Sequence, residues 1–181
     1  MSDSLLIEQC RQHNRKAQMV LYKKYCDGMY IVSKRYLRDH AEAEDALQEA
    51  FIKAFRKLGQ FKGEVTFGAW LKRIVINTCL DAIKAKKVEM YPLQEEFTRI
   101  PEAEDDWSVP DTATVNQVLK AINDLPGAYK TVLNLYLLEG YDHGEIAQIM
   151  GISESTSRTN LHRGKLKLKE KLNHVKYGTG Y

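Results

Sequence analysis

The sequence predicts an all-α protein built from two small helical domains, residues 1–87 and 112–181, joined by an extended acidic linker at 88–111. On both sides of the linker, apolar residues recur at the three- and four-residue spacing of amphipathic helices. The linker loses that spacing and contains three of the chain's four prolines and the acidic run EAEDDW. Such a composition is typical of an extended charged connector and places the domain boundary there.

Charge is distributed unevenly along the 181 residues, although the formal net charge is only +3. Residues 53–87 hold nine basic and two acidic side chains, and residues 151–181 hold seven basic and two acidic ones. Between them, residues 88–115 hold one arginine and eight acids. Two basic segments separated by an acidic one indicate two nucleic-acid-facing modules and a connector, although a solvated basic face would have the same composition.

The features that the sequence lacks argue against several classes of protein. No apolar run approaches the length of a membrane span, and the N-terminus does not resemble a signal peptide, so we expect a cytoplasmic protein that does not insert into membranes. Cys10, Cys26 and Cys79 match no zinc or redox spacing, and the five histidines are scattered. Phosphate-binding loops and the common hydrolase motifs are absent. We therefore expect no enzyme, no catalytic residue, no metal and no cofactor.

The first domain is predicted to contain four helices. Residues 4–37 form two of them, with Asn14 starting the longer one, and Asp39-His40 breaks the chain and caps the next. Residues 41–58 form the clearest amphipathic helix. Its apolar side comprises Ala43, Ala46, Leu47, Ala50, Phe51, Ala54 and Leu58. The opposite side is a polar stripe of Glu42, Asp45, Gln48, Glu49 and Ile52.

This polar stripe has two interpretations. A solvated helix face is the ordinary one. The presence of an isoleucine within the stripe favours a docking surface for a partner.

Residues 59–66 form a loop with Gly59 and Gly63 as helix breakers, and we expect it to expose Phe61 and Lys62. An aromatic ring beside a cation can stack an unpaired base and hold its phosphate. The ring can equally be a hydrophobic anchor beneath the loop, and the residues alone leave both alternatives open.

Thr66 is predicted to cap a fourth helix that runs to about Lys87. Its buried face is predicted to comprise Phe67, Leu71, Ile74, Val75, Thr78 and Ala82. A cationic stripe on the same helix is formed by Arg73, Asn77 and Lys84. These side chains suit base edges and phosphates. Trp70 borders the stripe, and a core position is its ordinary interpretation.

The second domain is predicted to contain helices at 112–124 and 127–138 and a helix-turn-helix at 142–169. In the first helix of that motif the buried face comprises Ile146, Ala147 and Met150. Gly151 ends this helix because glycine tolerates the left-handed conformation, and Ser153 caps the next one.

The last helix is predicted to bury Leu161, Leu168 and Leu172. Its other side presents small polar and basic residues: Ser155, Thr159 and His162, with Arg163 beside them and Arg158 nearer the apolar edge. Such a surface suits the major groove of DNA. An ordinary helical hairpin is the alternative.

Three segments, taken in order, resemble the sigma factors of bacterial RNA polymerase. The segment AEDALQEAF at 43–51 resembles their polymerase-docking helix, and FGAWLKRIVIN at 67–77 resembles the helix that meets the minus-ten promoter element. The stretch 125–136 and the segment EIAQIMGISEST at 145–156 resemble their C-terminal helix-turn-helix. The order, spacing and length are similar to the short extracytoplasmic-function group, which has two outer domains and a linker.

The resemblance implies a factor that binds core RNA polymerase and directs promoter recognition and opening. It implies polymerase contacts for Asp45, Gln48 and Glu49. It implies minus-ten contacts for Phe61, Lys62, Arg73 and Asn77, and the cationic stripe adds Lys84 to this set. It implies minus-thirty-five contacts for Arg158, Thr159, Asn160, His162 and Arg163. Core RNA polymerase and promoter DNA are the implied partners, and an anti-sigma factor is a candidate third.

Two positions of the last helix depart from the family's pattern. Position 157, on the inward side of the helix, is usually apolar and is Ser157 here, and position 160 is often basic and is Asn160 here. Both departures bear on which promoter sequence is read.

Two other functions compete with this interpretation. A stand-alone helix-turn-helix regulator accounts for residues 142–169 but leaves the polar stripe and the Phe61 loop without a purpose. A helical adaptor without a DNA role leaves the two basic segments unexplained. A regulator binds duplex DNA alone, whereas a sigma factor needs core polymerase to open it.

Overall fold

The structure, a computed structural model, describes residues 3–88 and 113–177. The predicted linker lies outside the described residues, apart from Val88. Within the described ranges the secondary structure is helical and contains no strand, as predicted. Contacts divide the chain into two compact units between residues 93 and 94, and each unit is described by itself.

The described part of the first unit contains four α-helices: α1 (Asp3–Arg11), α2 (Arg15–Tyr36), α3 (His40–Arg56) and α4 (Phe67–Val88). The predicted helix starts are confirmed by their caps. The Asn14 side chain accepts hydrogen bonds from the first turn of α2, and Asp39 accepts one from the first turn of α3. Thr66 Oγ1 accepts a hydrogen bond from the Ala69 N–H at 3.2 Å. Each cap satisfies backbone donors that the first helical turn leaves without partners.

The core of this unit forms where α2, α3 and α4 pack against one another. All seven residues predicted for the apolar side of α3 and the turn after it are buried. Four of them are alanines, whose small side chains let neighbouring helices approach α3 closely. Burial of the larger ones, Leu47, Phe51 and Leu58, contributes about 1.5–3 kcal/mol each.

The buried face of α4 is wider than predicted. Ile76, Cys79 and Leu80 are buried, whereas Ile74 and Ala82 are only half-buried. The physical reason is that α4 packs against both α2 and α3, so two neighbours cover it instead of one. A single apolar stripe therefore gives an incomplete prediction for this helix.

The second unit contains α5 (Val115–Asn123), α6 (Gly127–Leu133), α7 (His143–Met150) and α8 (Glu154–Tyr177). Thr114 and Gln117 form a reciprocal capping box at the start of α5. The helix predicted over 127–138 changes geometry partway: Asn134–Leu138 is a π-helical segment. Such segments have about one more residue per turn than an α-helix and are rare in proteins.

The core of the second unit forms around α8, which packs against α5, α6 and α7. The three predicted leucines of α8 are buried. A β-carbon added at Gly164 would lie 3.1 Å from Cδ1 of Leu133, which is itself fully buried. Glycine at this position therefore permits the close crossing of α6 and α8. In α7 only Ile146 is buried, and the predicted core residues Ala147 and Met150 are half-buried.

Candidate nucleic-acid interface

The turn between α7 and α8 is built as the sequence predicts, and a capping box that was not predicted starts α7. The Asp142 carboxylate accepts a hydrogen bond from the Glu145 N–H at 2.8 Å, and the Glu145 side chain accepts one from the Asp142 N–H at 3.1 Å. Gly151 ends α7 at φ 69°, a region that glycine adopts without a β-carbon clash. Ser153 Oγ accepts a hydrogen bond from the Thr156 N–H at 3.0 Å and so starts α8.

The residues predicted to contact the minus-thirty-five element all lie on α8: Arg158, Thr159, Asn160, His162 and Arg163. Arg158 is exposed and the other four are half-buried. At 100° per residue, Thr159 lies opposite the buried leucines, with Arg158 towards one edge and Asn160 towards the other. Arg158 Nη2 lies 3.7 Å from the Glu154 carboxylate. Because both side chains are exposed, this ion pair holds the arginine weakly.

A partly buried hydrogen bond joins the two helices of the motif. Ser157, on the inward side of α8, is fully buried, and its Oγ lies 2.9 Å from Nδ1 of His143 in the first turn of α7. The His143 ring stacks on the Tyr136 ring, with centroids 5.0 Å apart and planes 28° apart. The hydroxyl therefore has a partner, without which its burial would be costly. Sequence reasoning placed Ser157 on the inward side but did not identify its partner.

The surroundings of His143 favour the neutral imidazole. Burial lowers its pKa from 6.5, and the nearby Arg158 and Lys165 act in the same direction because they repel a second positive charge. Glu154 and Asp142 act against this shift and do not reverse it.

The cationic stripe lies on the exposed side of α4. Arg73, Asn77 and Lys84 are all exposed, as predicted. The buried side of the same helix carries Leu71 and Val75, both fully buried. A rigid helix packed on one side thus presents two cations and an amide on the other, a combination suited to phosphates and base edges.

The expected exposure of Phe61 is wrong. Its side chain is 9% exposed, and its ring packs against those of Phe67 and Trp70 at centroid distances of 5.7 and 5.3 Å. Aromatic contacts of this kind stabilise a ring beyond the area that it buries, which outweighs the polar character of the surrounding loop. The ring's position favours the anchor alternative. Lys62, the next residue, is exposed as predicted.

The main chain of this loop is tied to α1. Arg11 Nη2 donates to the Phe61 carbonyl oxygen at 2.7 Å, and Arg11 Nε donates to the Leu58 carbonyl oxygen at 3.5 Å. No sequence pattern indicated a role for Arg11, because the first contact joins residues 50 positions apart.

The polar stripe of α3 is exposed at four positions: Asp45, Gln48, Glu49 and Ile52. Ile52 is 44% exposed, so an apolar side chain does lie on this surface. Glu42, the fifth member, is half-buried and pairs with Lys86 of α4. Glu49 lies 3.8 Å from Lys53, a pair too exposed to hold the carboxylate firmly.

Two kinds of site are absent from the part of the chain that the structure describes. None of its helices is both long and apolar enough to cross a membrane. It contains no group of three His, Cys, Asp or Glu side chains that could hold a metal ion.

Two family models match the chain, one in each unit. Sigma-70 region 2 matches residues 21–88, and Sigma-70, region 4 matches residues 116–168. The first match contains the polar and cationic stripes and the Phe61 loop. The second contains the helix-turn-helix. Arg11 lies outside both.

The relatives cover nearly the whole chain. The RNA polymerase sigma-H factor of Pseudomonas aeruginosa is 31% identical over 90% of this chain and 90% of its own length. The ECF RNA polymerase sigma factor SigW of Bacillus subtilis is 31% identical over 92% of this chain and 94% of its own.

A solved structure supports the fold. The sigma factor RpoE of Bartonella quintana, crystallised in complex with the anti-sigma factor NepR, matches with a TM-score of 0.56 at 19% identity, over 86% of this chain and 96% of that one. At that identity the match bears on the fold alone. The two family models and the full-length relatives establish the family. The chain therefore belongs to the extracytoplasmic-function group of RNA polymerase sigma factors, DNA-binding initiation factors that act in promoter recognition and are not enzymes.

Proposed function

We propose that residues 1–87 bind core RNA polymerase and the minus-ten promoter region, and that residues 112–181 bind the minus-thirty-five element. Residues 88–111 act as the linker between these two domains. The observation that supports this assignment best is that one compact unit exposes two different surfaces, the polar stripe on α3 and the cationic stripe on α4. A factor that connects an enzyme to DNA needs both.

The polar stripe is the proposed polymerase surface. Asp45 and Glu49 offer carboxylates for charge-assisted hydrogen bonds with basic groups of the polymerase, and Gln48 offers an amide. Ile52 adds an apolar contact beside them, and a mixture of apolar centre and polar surroundings is typical of protein interfaces. The weak pairing of Glu49 with Lys53 leaves its carboxylate available at little cost.

The cationic stripe and Lys62 form the proposed minus-ten surface. Arg73 and Lys84 hold phosphates, which position the strand, and Asn77 contacts a base edge, which specifies it. Lys62 contacts a phosphate from the loop. Phe61 supports that loop from beneath, since its ring is buried against Phe67 and Trp70.

The first half of α8 forms the proposed minus-thirty-five surface, with Arg158, Thr159, Asn160, His162 and Arg163 facing DNA. Arg163 is assigned to a bidentate contact with guanine, which sets base preference. Arg158, which is exposed and lies nearer the apolar edge of α8, is assigned to a phosphate. Its exposed ion pair with Glu154 can be exchanged for the phosphate because such pairs contribute little.

A cytoplasmic location follows from this function, since polymerase and promoters are there. An anti-sigma factor is a further proposed partner. The support for it is that the Bartonella quintana sigma factor, which shares this fold, was solved with one.

Run-off transcription with core polymerase tests the function. We expect start sites only when the protein, core enzyme and a duplex promoter are all present, and no promoter opening by the protein alone. If the protein binds duplex DNA and regulates transcription, but initiation by core enzyme does not require it, the protein is instead a stand-alone regulator.

A double substitution tests the polymerase surface. Gln48→Ala with Glu49→Lys should weaken binding to core enzyme in a pull-down while helicity stays unchanged, because both side chains are exposed. Glu64→Lys is the matched control, since it reverses the charge of an exposed acid outside the stripe. Equal affinity of the double variant and the control for core enzyme would contradict the assignment.

A further inference from the structure

The guanidinium of Arg11 occupies a bridging position between α1 and the loop after α3. Arg11 is in the last turn of α1. Its Nη2 donates to the Phe61 carbonyl oxygen at 2.7 Å, and its Nε donates to the Leu58 carbonyl oxygen at 3.5 Å. The remaining nitrogen, Nη1, lies 3.2 Å from the Glu8 carboxylate one turn earlier. One side chain thus contacts two main-chain carbonyls on either side of a short turn.

These contacts fix the backbone from which Lys62 projects. The Phe61 side chain is held by Phe67 and Trp70, and its carbonyl is held by Arg11. Residue 61 is therefore held from two sides, immediately before Lys62. After Lys62 the chain turns at Gly63, whose φ is 79°. A lysine on a mobile turn loses more conformational freedom when it binds a phosphate than a lysine whose backbone is already fixed.

The chemistry of the contact suits a positioning role. A hydrogen bond from a charged donor is stronger than a neutral one, and the planar guanidinium presents several donors in fixed directions. A lysine at position 11 could not reproduce that geometry, because its ammonium is a point charge on a flexible stem.

We propose that Arg11 is a positioning residue for promoter opening, acting through the loop that presents Lys62 to the separated DNA strand. The proposal rests on the minus-ten role proposed for Lys62. Arg11 itself touches no DNA in this assignment. It stabilises the loop conformation in which Lys62 is placed to contact a phosphate.

The test is promoter opening by Arg11→Ala in full-length protein with core enzyme, followed by permanganate reactivity of bubble thymines. We expect about a fivefold lower open fraction on duplex promoter, which corresponds to about 1 kcal/mol. Binding to core enzyme and to the closed promoter should be unchanged. A premelted template should restore transcription, since the strand is already separated. Arg15→Ala is the matched control, because it removes another exposed arginine nearby.

A double-mutant cycle with Lys62→Ala separates positioning from general stability. If Arg11 acts through the loop, Arg11→Ala should add little to the opening defect of Lys62→Ala. Arg11→Lys should give an intermediate defect, and it keeps the test valid if Arg11→Ala proves unstable. Hydrogen exchange of amides 59–65 should also accelerate in Arg11→Ala.

The outcomes are distinguishable. Wild-type opening by Arg11→Ala, with a defect in Lys62→Ala, would overturn this inference and leave the proposed minus-ten surface intact. Additive defects, or an Arg11→Ala defect that persists on the premelted template, would also overturn it. Wild-type opening by Lys62→Ala would overturn the proposed role of the loop together with this inference.

Discussion

Replacing Ser157 by alanine tests how the two helices of the helix-turn-helix are held together. The hydroxyl is fully buried and 2.9 Å from His143 Nδ1, so the substitution removes one hydrogen bond and one atom. A net hydrogen bond contributes about 0.5–1.5 kcal/mol. The His143 ring is only half-buried and can form a hydrogen bond with water when the Ser157 hydroxyl is removed. We therefore expect a loss of about 1 kcal/mol in the opening free energy of α7 and α8.

Hydrogen exchange of the full-length protein measures this free energy locally. Amides in peptides from α7 and the first half of α8 should exchange about fivefold faster in Ser157→Ala, which is the ratio that about 1 kcal/mol gives. Peptides from the first unit should be unchanged. Ser155→Ala is the matched control, because Ser155 is exposed on the same helix, and such substitutions change stability by less than about 0.5 kcal/mol.

A double-mutant cycle of Ser157→Ala with His143→Ala tests whether His143 is the hydrogen-bond partner of Ser157. His143→Ala also removes the stack on Tyr136, so it should cost more than Ser157→Ala. The two substitutions together should cost less than their sum, by about 1 kcal/mol, since they share one hydrogen bond. Strict additivity, or unchanged exchange in Ser157→Ala, would refute the inference that this bond joins the helices.

Three further predictions concern single residues. The pKa of His143 is lowered in the folded state, chiefly by burial. The contribution of the neutral ring to stability should therefore be complete above pH 6.5 and lost as the pH falls through the folded-state pKa. NMR titration of the ring checks this, and its midpoint should lie below 6.5. Arg163→Ala should relax base preference in the minus-thirty-five element at a cost of about 1–3 kcal/mol, whereas Arg158→Ala should weaken binding to all sequences. Equal specificity profiles and equal affinities in the wild type and both variants would contradict this. Phe61→Ala should destabilise the first unit by about 3 kcal/mol, near the low end for a buried aromatic, in thermal unfolding; a change within about 0.5 kcal/mol would mean that the ring is no anchor.

Local rules account for the elements that could be predicted from the sequence. The caps at Asn14, Asp39 and Thr66 depend on side chains and backbone groups within three positions. The turn at Gly151 depends on one residue's own conformational freedom. The apolar side of α3 depends on helical periodicity alone. All of these could be predicted because each one involves residues close together in the chain.

The polar and cationic stripes were predicted for the same reason. A side chain opposite the buried face of a helix is exposed unless another element packs against that side as well. Asp45 and Gln48 on α3, and Arg73 and Asn77 on α4, are exposed accordingly. Their partners are proposed from the family to which the chain belongs.

Only the tertiary structure decided the features that depend on packing between elements. Ile76 is buried because α4 packs against two helices, and the burial of Phe61 depends on the rings that meet it. Ser157 contacts His143, which is 14 positions away in the sequence, and Arg11 contacts Phe61, which is 50 positions away. The sequence by itself therefore determined where the helices lie and which faces are polar, because those follow from spacing and local capping. The tertiary structure decided which side chains hold the loop and the helix-turn-helix in place, because those contacts require residues that meet only after the chain has folded.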